Sequence, residues 1–257
     1  MENQEVMKGT CLNCGSEFHS HYCAFCGQSS KAGPLTVRAI LEGALKGLID
    51  FDKPLYRTLI GLTLRPGSMI SDYVEGKRSG YANPVKYCLF TSALLIVLVQ
   101  LRGSIVEVAS QSMSADPTAA EPAAEFLRQY NEINNIIQPY SHVISLMMMP
   151  VLAGFFYLVF RKSKRSFADQ MAFGCFAVGH AAFLNIAILA FNLHHVIFDA
   201  VTVLINVGPP IYIIWAAVVF NRERVVPGVL RSLLAYGLFF GLIVALMMLI
   251  VFIKMTQ

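Results

Sequence analysis

The sequence predicts an all-α polytopic membrane protein of about five transmembrane helices, and three observations carry that expectation. The chain is 56% hydrophobic and only 14% charged, with mean hydropathy +0.57, against about 25% charge in an average soluble domain. Apolar runs near the roughly 20 residues that cross a bilayer recur from Pro84 onward. The basic residues are also lopsided: of the 20 Lys and Arg, only Arg102, Arg128 and Lys254 fall on the far side of the spans read below.

The first thirty residues are polar and cysteine-rich, with no charged start leading into an apolar stretch. No cleavable signal is expected, and the N-terminus is expected to stay in the cytosol. Cys11-Leu-Asn-Cys14-Gly15 and Cys23-Ala-Phe-Cys26-Gly27 repeat one pattern, with eight residues between the pairs. A reducing compartment argues against disulfides for these four. Each C-x2-C turn aims two sulfurs at one point, and the glycine after it supplies the positive φ the turn needs. Two such turns give a tetrahedron of thiolates, suited to structural Zn2+ on Cys11, Cys14, Cys23 and Cys26. Residues 1–33 are therefore expected to form a small zinc ribbon whose metal supplies much of its folding energy. A redox pair would sit in a βαβ pattern, which does not surround either motif; iron is the chemical alternative to zinc. His19 and His21, inside the loop, are the alternative ligands. Phe18, Tyr22 and Phe25 form either the head's small core or its contact with a partner. With Lys8 and Lys31 against Glu2, Glu5 and Glu17, the head lacks the basic patch that nucleic acid requires.

Pro34 ends the head, and residues 34–83 read as cytosolic interfacial amphipathic helices. Val37, Ile40, Leu41, Ala44, Leu45, Leu48 and Ile49 fall at helical spacing, with Glu42 and Lys46 as an i,i+4 pair. Asp52 and Pro54 open a second helix carrying Leu55, Leu59, Ile60 and Leu62, which Arg65-Pro66-Gly67 breaks. Ser68 is placed to cap a third helix reaching Glu75, with Gly76 as its stop. These helices are too short to span and are expected to lie on the cytosolic leaflet, packed against the membrane helices. A cytosolic subdomain with its own core is the alternative. Arg65, Lys77, Arg78 and Lys86 are candidate contacts for anionic lipid headgroups, with Tyr73 and Tyr81 in the aromatic belt.

The two cysteine motifs, C-x-N-C-G and Y-C-x-x-C-G-Q, are followed by Arg57-Thr58-Leu59, Arg65-Pro66-Gly67, Tyr73-Val74-Glu75-Gly76-Lys77-Arg78, Tyr81 and Pro84. Together they resemble an uncharacterised bacterial family of zinc-ribbon inner-membrane proteins, domain of unknown function 3667. The resemblance covers roughly residues 11–100 and implies architecture without an activity. A slighter likeness is to the Yip1-type five-helix membrane proteins, through the proline-containing amphipathic stretch before the first span and the helix count.

Residues 84–257 are read as a five-helix transmembrane domain. Spans are expected at about Pro84–Leu101, Pro139–Phe160, Phe167–Phe191, Val196–Phe220 and Val229–Ile253, with an outer loop 102–138. The charge bias then puts the N-terminus in the cytosol and the C-terminus outside, in a bacterial inner membrane. Pro150 in the second span and Gly208-Pro209-Pro210, expected to interrupt the fourth, free backbone carbonyls that must find partners within the protein. Discontinuous helices of that kind line transport sites; plain packing kinks are the simpler reading. His180 and Asn185 lie inside the third span, either as a proton relay or ligand contact or as polar groups bonded to a neighbouring helix. His194, His195 and Asp199 at the outer end are either weak metal ligands or interfacial polar residues. Gly174, Gly179, Ala181 and Ala182 let another helix approach closely, and Cys88 and Cys175 are small packing residues.

No phosphate-binding glycine loop, nucleophile elbow or HExxH helix occurs in the sequence. It therefore points to a non-enzymatic inner-membrane protein with a docking head, a scaffold or component of lipid or envelope handling. Two alternatives stay open: a transporter or channel-like protein with its site near Pro150 and Pro209, and an intramembrane enzyme using His180 or the His194, His195 and Asp199 group. The expected partners are membrane lipid and a protein met through the head, with a homo-oligomer left open and nucleic acid not expected.

Overall fold

The stretch from Phe167 to Phe191 is apolar around its whole circumference, and it becomes the axis on which the other helices pack. A computed structural model describes residues 9–30, 32–45, 52–111, 141–191 and 198–255. Two short strands, β1 (Gly9–Thr10) and β2 (Glu17–Phe18), pair antiparallel with Gly9 opposite Phe18. Eight α-helices follow among the described residues: α1 (Val37–Leu45), α2 (Asp52–Leu64), α3 (Pro66–Val74), α4 (Pro84–Gln111), α5 (Ser141–Val159), α6 (Phe167–Phe191), α7 (Phe198–Phe220) and α8 (Val225–Met255).

Helix α6 packs against α4, α5 and α7, and also against α2 and α3. In its apolar stretch 61% is buried inside the protein, against 28% for α4 and 11% for α8. α8 instead leaves Leu230, Leu234, Phe240 and Met248 exposed, a continuous apolar surface of the kind a bilayer covers. α4 over Pro84–Leu101, α6 over Phe167–Leu189 and α8 over Val225–Leu246 are long and apolar enough to cross a membrane. They mark a membrane protein. Where the sequence predicts five comparable spans, α5 and α7 carry shorter apolar stretches, Met147–Val159 and Val207–Phe220, within the described residues.

One further expectation is corrected. α5 and α7 run unbroken through Pro150 and through Pro209-Pro210. Each proline removes one ladder bond, yet α5 is held between α6 and α8, and α7 between α6, α8 and α3. α4 continues to Gln111, so the first part of the expected outer loop 102–138 is helix; residues 112–138 lie outside the described residues.

The collar, residues 34–83, packs against the membrane helices as expected, and its difference from the sequence reading lies in α3. All of α3 except Ser68 and Asp72 is buried, and it is wedged against α7 and α6 rather than laid on a surface with one face free. Gly67 permits this. A Cβ there would fall 2.5 Å from the Cβ of Val219 and 2.7 Å from the Ala216 carbonyl oxygen on α7. Leu62, Met69, Ile70 and Tyr73 consequently share one core with Phe173, Phe176 and Phe220. Ser68 does not cap α3: Arg65 holds the N-cap position, Pro66 is the first helical residue, and the Ser68 hydroxyl donates to the Arg65 carbonyl. Proline suits that first position because its fixed φ is already helical and no N–H is needed there. Gly76 ends the turn beyond α3 at φ +107°, as expected. On α1 the expected partner of Glu42, Lys46, lies outside the described residues; within them Glu42 pairs with Arg38 at 2.6 Å.

Candidate metal centre and the collar it sits on

The head is built from two matching turns. The N–H of Gly15 donates to the Cys11 carbonyl at 2.9 Å and the N–H of Gly27 to the Cys23 carbonyl at 2.8 Å. Both glycines hold positive φ, 76° and 72°, which a residue with a Cβ adopts only at a cost. The turns bring Cys11, Cys14, Cys23 and Cys26 together with all four Sγ atoms within 4.8 Å of one another. Cys11 and Cys26 are 3.5 Å apart at sulfur, as are Cys14 and Cys23. Metal–sulfur bonds of about 2.3 Å in a tetrahedron separate the sulfurs by about 3.8 Å, so the donor set fits a metal with little movement. The Ser16 hydroxyl and the Ser16 N–H draw the Cys14 thiol down to about 6, and the Gln28 N–H lowers that of Cys26. These effects favour thiolates at those two positions, whereas at Cys11 the lowering by the Cys14 N–H is outweighed by burial together with the Cys26 and Cys14 thiols, which push the group up to about 11. His19 and His21 are exposed and stand outside this group. Tyr22 and Phe25 are also exposed, at 64% and 81%, so of the two roles open to them the small core is excluded.

Gln28, directly after the second cysteine turn, connects this centre to the collar. Its side chain is buried. Its amide donates to the Gly76 carbonyl at 2.8 Å, and its carbonyl oxygen accepts from the N–H groups of Arg78 and Ser79, each at 3.0 Å. The Ser79 hydroxyl returns a bond to the Cys26 carbonyl at 2.6 Å. Arg78 donates to the carbonyls of Gly33 (2.8 Å) and Tyr73 (3.2 Å) and lies 5.8 Å from the centre of the Tyr73 ring. One side chain of the head, Gln28, and two of the collar, Arg78 and Ser79, thus satisfy the backbone of the other region.

The four residues grouped above as headgroup contacts therefore divide. Arg78 is half-buried and committed to the backbone of the head and collar. Lys77 is exposed and paired with Asp72 at 2.8 Å. Arg65 is exposed, with no carboxylate against it among the described residues. Lys86 is half-buried in the first turn of α4. At the other end of α3, Glu75 accepts from Arg222 at 2.6 Å and Arg165 at 3.2 Å. Arg165 also donates to the Ser71 hydroxyl and stacks over Phe220. The α5–α6 and α7–α8 connections are thereby tied to the same end of the bundle as the head.

Within the bundle, His180 is fully buried. Its Nδ1 lies 2.8 Å from the Tyr87 hydroxyl of α4 and its Nε2 lies 3.2 Å from the Thr63 hydroxyl of α2. The Tyr212 ring packs on the imidazole with centroids 5.1 Å apart, and its hydroxyl donates to the Leu62 carbonyl at 3.1 Å. Both nitrogens are occupied, so the geometry fits an interlock between α2, α4, α6 and α7. Asn185 is not part of it; its Oδ1 is buried without a hydrogen-bond partner among the described residues. The His194, His195 and Asp199 group lies outside the described residues, apart from the backbone of Asp199 in α7. Gly179 makes the close approach expected of it, 2.9 Å from a built Cβ to the Cys88 Cα.

The sequence reading left out Gln28, Ser79, Thr63, Tyr87 and Tyr212. Gln28 alone carried a local signal, as the last residue of the second cysteine motif. A family model described as protein of unknown function (DUF3667) matches residues 52–96, which spans α2, α3, the clamped turn and the start of α4. No curated protein and no solved structure matches the chain.

Proposed function

We propose that this is a non-enzymatic inner-membrane protein in which a structural zinc ribbon serves as a fixed cytosolic docking module, working as a scaffold or component of lipid or envelope handling. The observation that carries the reading is the Gln28 clamp, which binds the metal head to the collar through Gly76, Arg78 and Ser79. A head so held leaves Tyr22 and Phe25 exposed, and rigid exposed aromatics are characteristic anchors of protein interfaces. Four cysteines fill a tetrahedral site, so the zinc has no open position for substrate and its role is to fold the head. Five spans are proposed, with α5 and α7 crossing alongside the three longer helices. The basic connections at Arg165 and Arg222 meet Glu75 at the end where the head sits, which supports a cytosolic placement of that end by the positive-inside rule and a C-terminus outside. The continuity of α5 and α7 through their prolines, and the two-sided bonding of His180, give less support to a transporter site or an intramembrane enzyme.

The test is a photocrosslinking residue at position 25 in the native membrane. The docking reading expects a discrete protein adduct that disappears when Cys23→Ser removes the metal. Loss of all protein adducts in the metal-loaded protein, or an adduct indifferent to Cys23→Ser, contradicts it.

A further inference from the structure

A groove of about 850 Å³ opens beside the clamp, between α2 and the turn after α3. Part of its lining is polar: Arg57, Arg65 and Lys77 border it, with Asp72, Asn13 of the head and Ser79. Three cations against one carboxylate leave it positive. Among the described residues neither Arg57 nor Arg65 has a carboxylate partner; Lys77 has Asp72. The rest of the lining is apolar, from Tyr56, Ile60, Leu64 and Tyr81. Leu64 is 70% and Tyr56 69% exposed. Apolar lining beside two arginines without a carboxylate partner among the described residues suits a ligand with an anionic end and an apolar body.

The place of the groove along the chain selects among such ligands. Tyr81 lies three residues before Pro84, where the first membrane-spanning stretch begins. The groove therefore adjoins the chain's entry into a span, where phosphate groups and the first acyl carbons meet. The geometry points to this groove as a binding site for an anionic phospholipid, with Arg57 and Arg65 on the phosphate, Lys77 at its margin, and the acyl chains leaving along Ile60 and Leu64. This deepens the lipid-handling reading and rests on it. It also alters the set of headgroup residues: Arg57 joins, while Arg78, spent on the clamp, and Lys86, outside the groove, leave. Asn13 lies between the two cysteines of the first turn, so a bound headgroup touches the metal head directly.

The experiment is native mass spectrometry of the full-length, metal-loaded protein, delipidated in detergent and titrated with phosphatidylglycerol or with phosphatidylcholine of the same chains. Wild type is expected to bind the first phosphatidylglycerol in preference. Arg57→Gln with Arg65→Gln is expected to weaken that event by about 30-fold, since each basic residue at an anionic surface contributes roughly fivefold. Arg38→Gln with Lys162→Gln, equal in charge and outside the groove, is expected to leave it unchanged. Leu64→Ser on the exposed wall is expected to weaken both lipids, and it carries the test if the arginine variant fails to fold. Equal binding by wild type and the arginine variant, or equal loss in the charge control, overturns the site. Displacement of the lipid by inorganic phosphate, with Leu64→Ser without effect, identifies a free-phosphate site and overturns the lipid assignment. The same spectra report the metal, so failure of the groove with zinc retained is distinct from failure of the docking-head reading.

Discussion

In the head, between Gly9 and Gly33, the buried apolar side chains are those of Cys11 and Cys23, whereas the bundle encloses Phe156, Phe160, Phe173, Phe176 and Phe220 in one core. The two regions meet through hydrogen bonds from Gln28, Arg78 and Ser79. The difference separates what each region depends on. The bundle is held by packing around α6, and the head by its cysteine centre and by the collar beneath it. Perturbations that distinguish the two can break or sharpen this contrast.

The largest expected effect is that of Cys23→Ser. Metal binding contributes about 10 kcal/mol or more to folding of such small sites, so the variant should lose stoichiometric metal and the head should become protease-sensitive. Helix content and membrane insertion should not change, because no bundle residue depends on the thiolates. Metal analysis with limited proteolysis checks both halves. Gly67→Val is the converse. Its side chain would meet Val219 and the α7 backbone, an overpacking worth about 3 kcal/mol or more. Thermal unfolding in detergent should shift down for the bundle while metal content holds.

Gln28→Ala acts at the junction. It leaves the Gly76 carbonyl and the Arg78 and Ser79 N–H groups without their partner, a cost of about 2–3 kcal/mol. Metal should be retained and the bundle should melt as before, yet cleavage between head and collar should accelerate; unchanged cleavage would sink the clamp. The smallest effect is expected of Glu75→Gln. Its pairs are partly exposed, with Arg222 71% accessible, so a loss of roughly 0.5–1 kcal/mol is expected, measurable as a small fall in the bundle's unfolding temperature at low salt.

The contrast also explains what the sequence reveals. The cysteine turns are local: their spacing and following glycines specify the knuckles directly, and Sγ clustering followed. Helix caps were equally local, though two went unread. Asn83-Pro84 caps α4 by accepting from Val85 and Lys86, and Ser166-x-x-Asp169 forms a reciprocal capping box on α6. The burial of α3 was harder to see. Its Met69, Ile70, Tyr73 and Val74 fit a single stripe, and only the small residues Gly67 and Ser71 hinted at a second packed face. The clamp and the His180 interlock were hidden for another reason. Gln28 bonds residues about 50 positions away, and His180 bonds Tyr87 and Thr63 across three helices. No periodicity or spacing encodes such pairings; they exist once the helices have packed.

The central claim is that the metal-bound head and the turn after α3 form one unit. Hydrogen–deuterium exchange on the full-length protein in lipid nanodiscs, with and without metal stripped by chelation, tests it most directly. The expected result is that stripping the metal exposes the amides of Cys23 to Gln28 and, together with them, those of Arg78 and Ser79, while the amides of α4 and α6 stay protected. Full protection of Arg78 and Ser79 after the head has lost its metal and its own protection would contradict the claim.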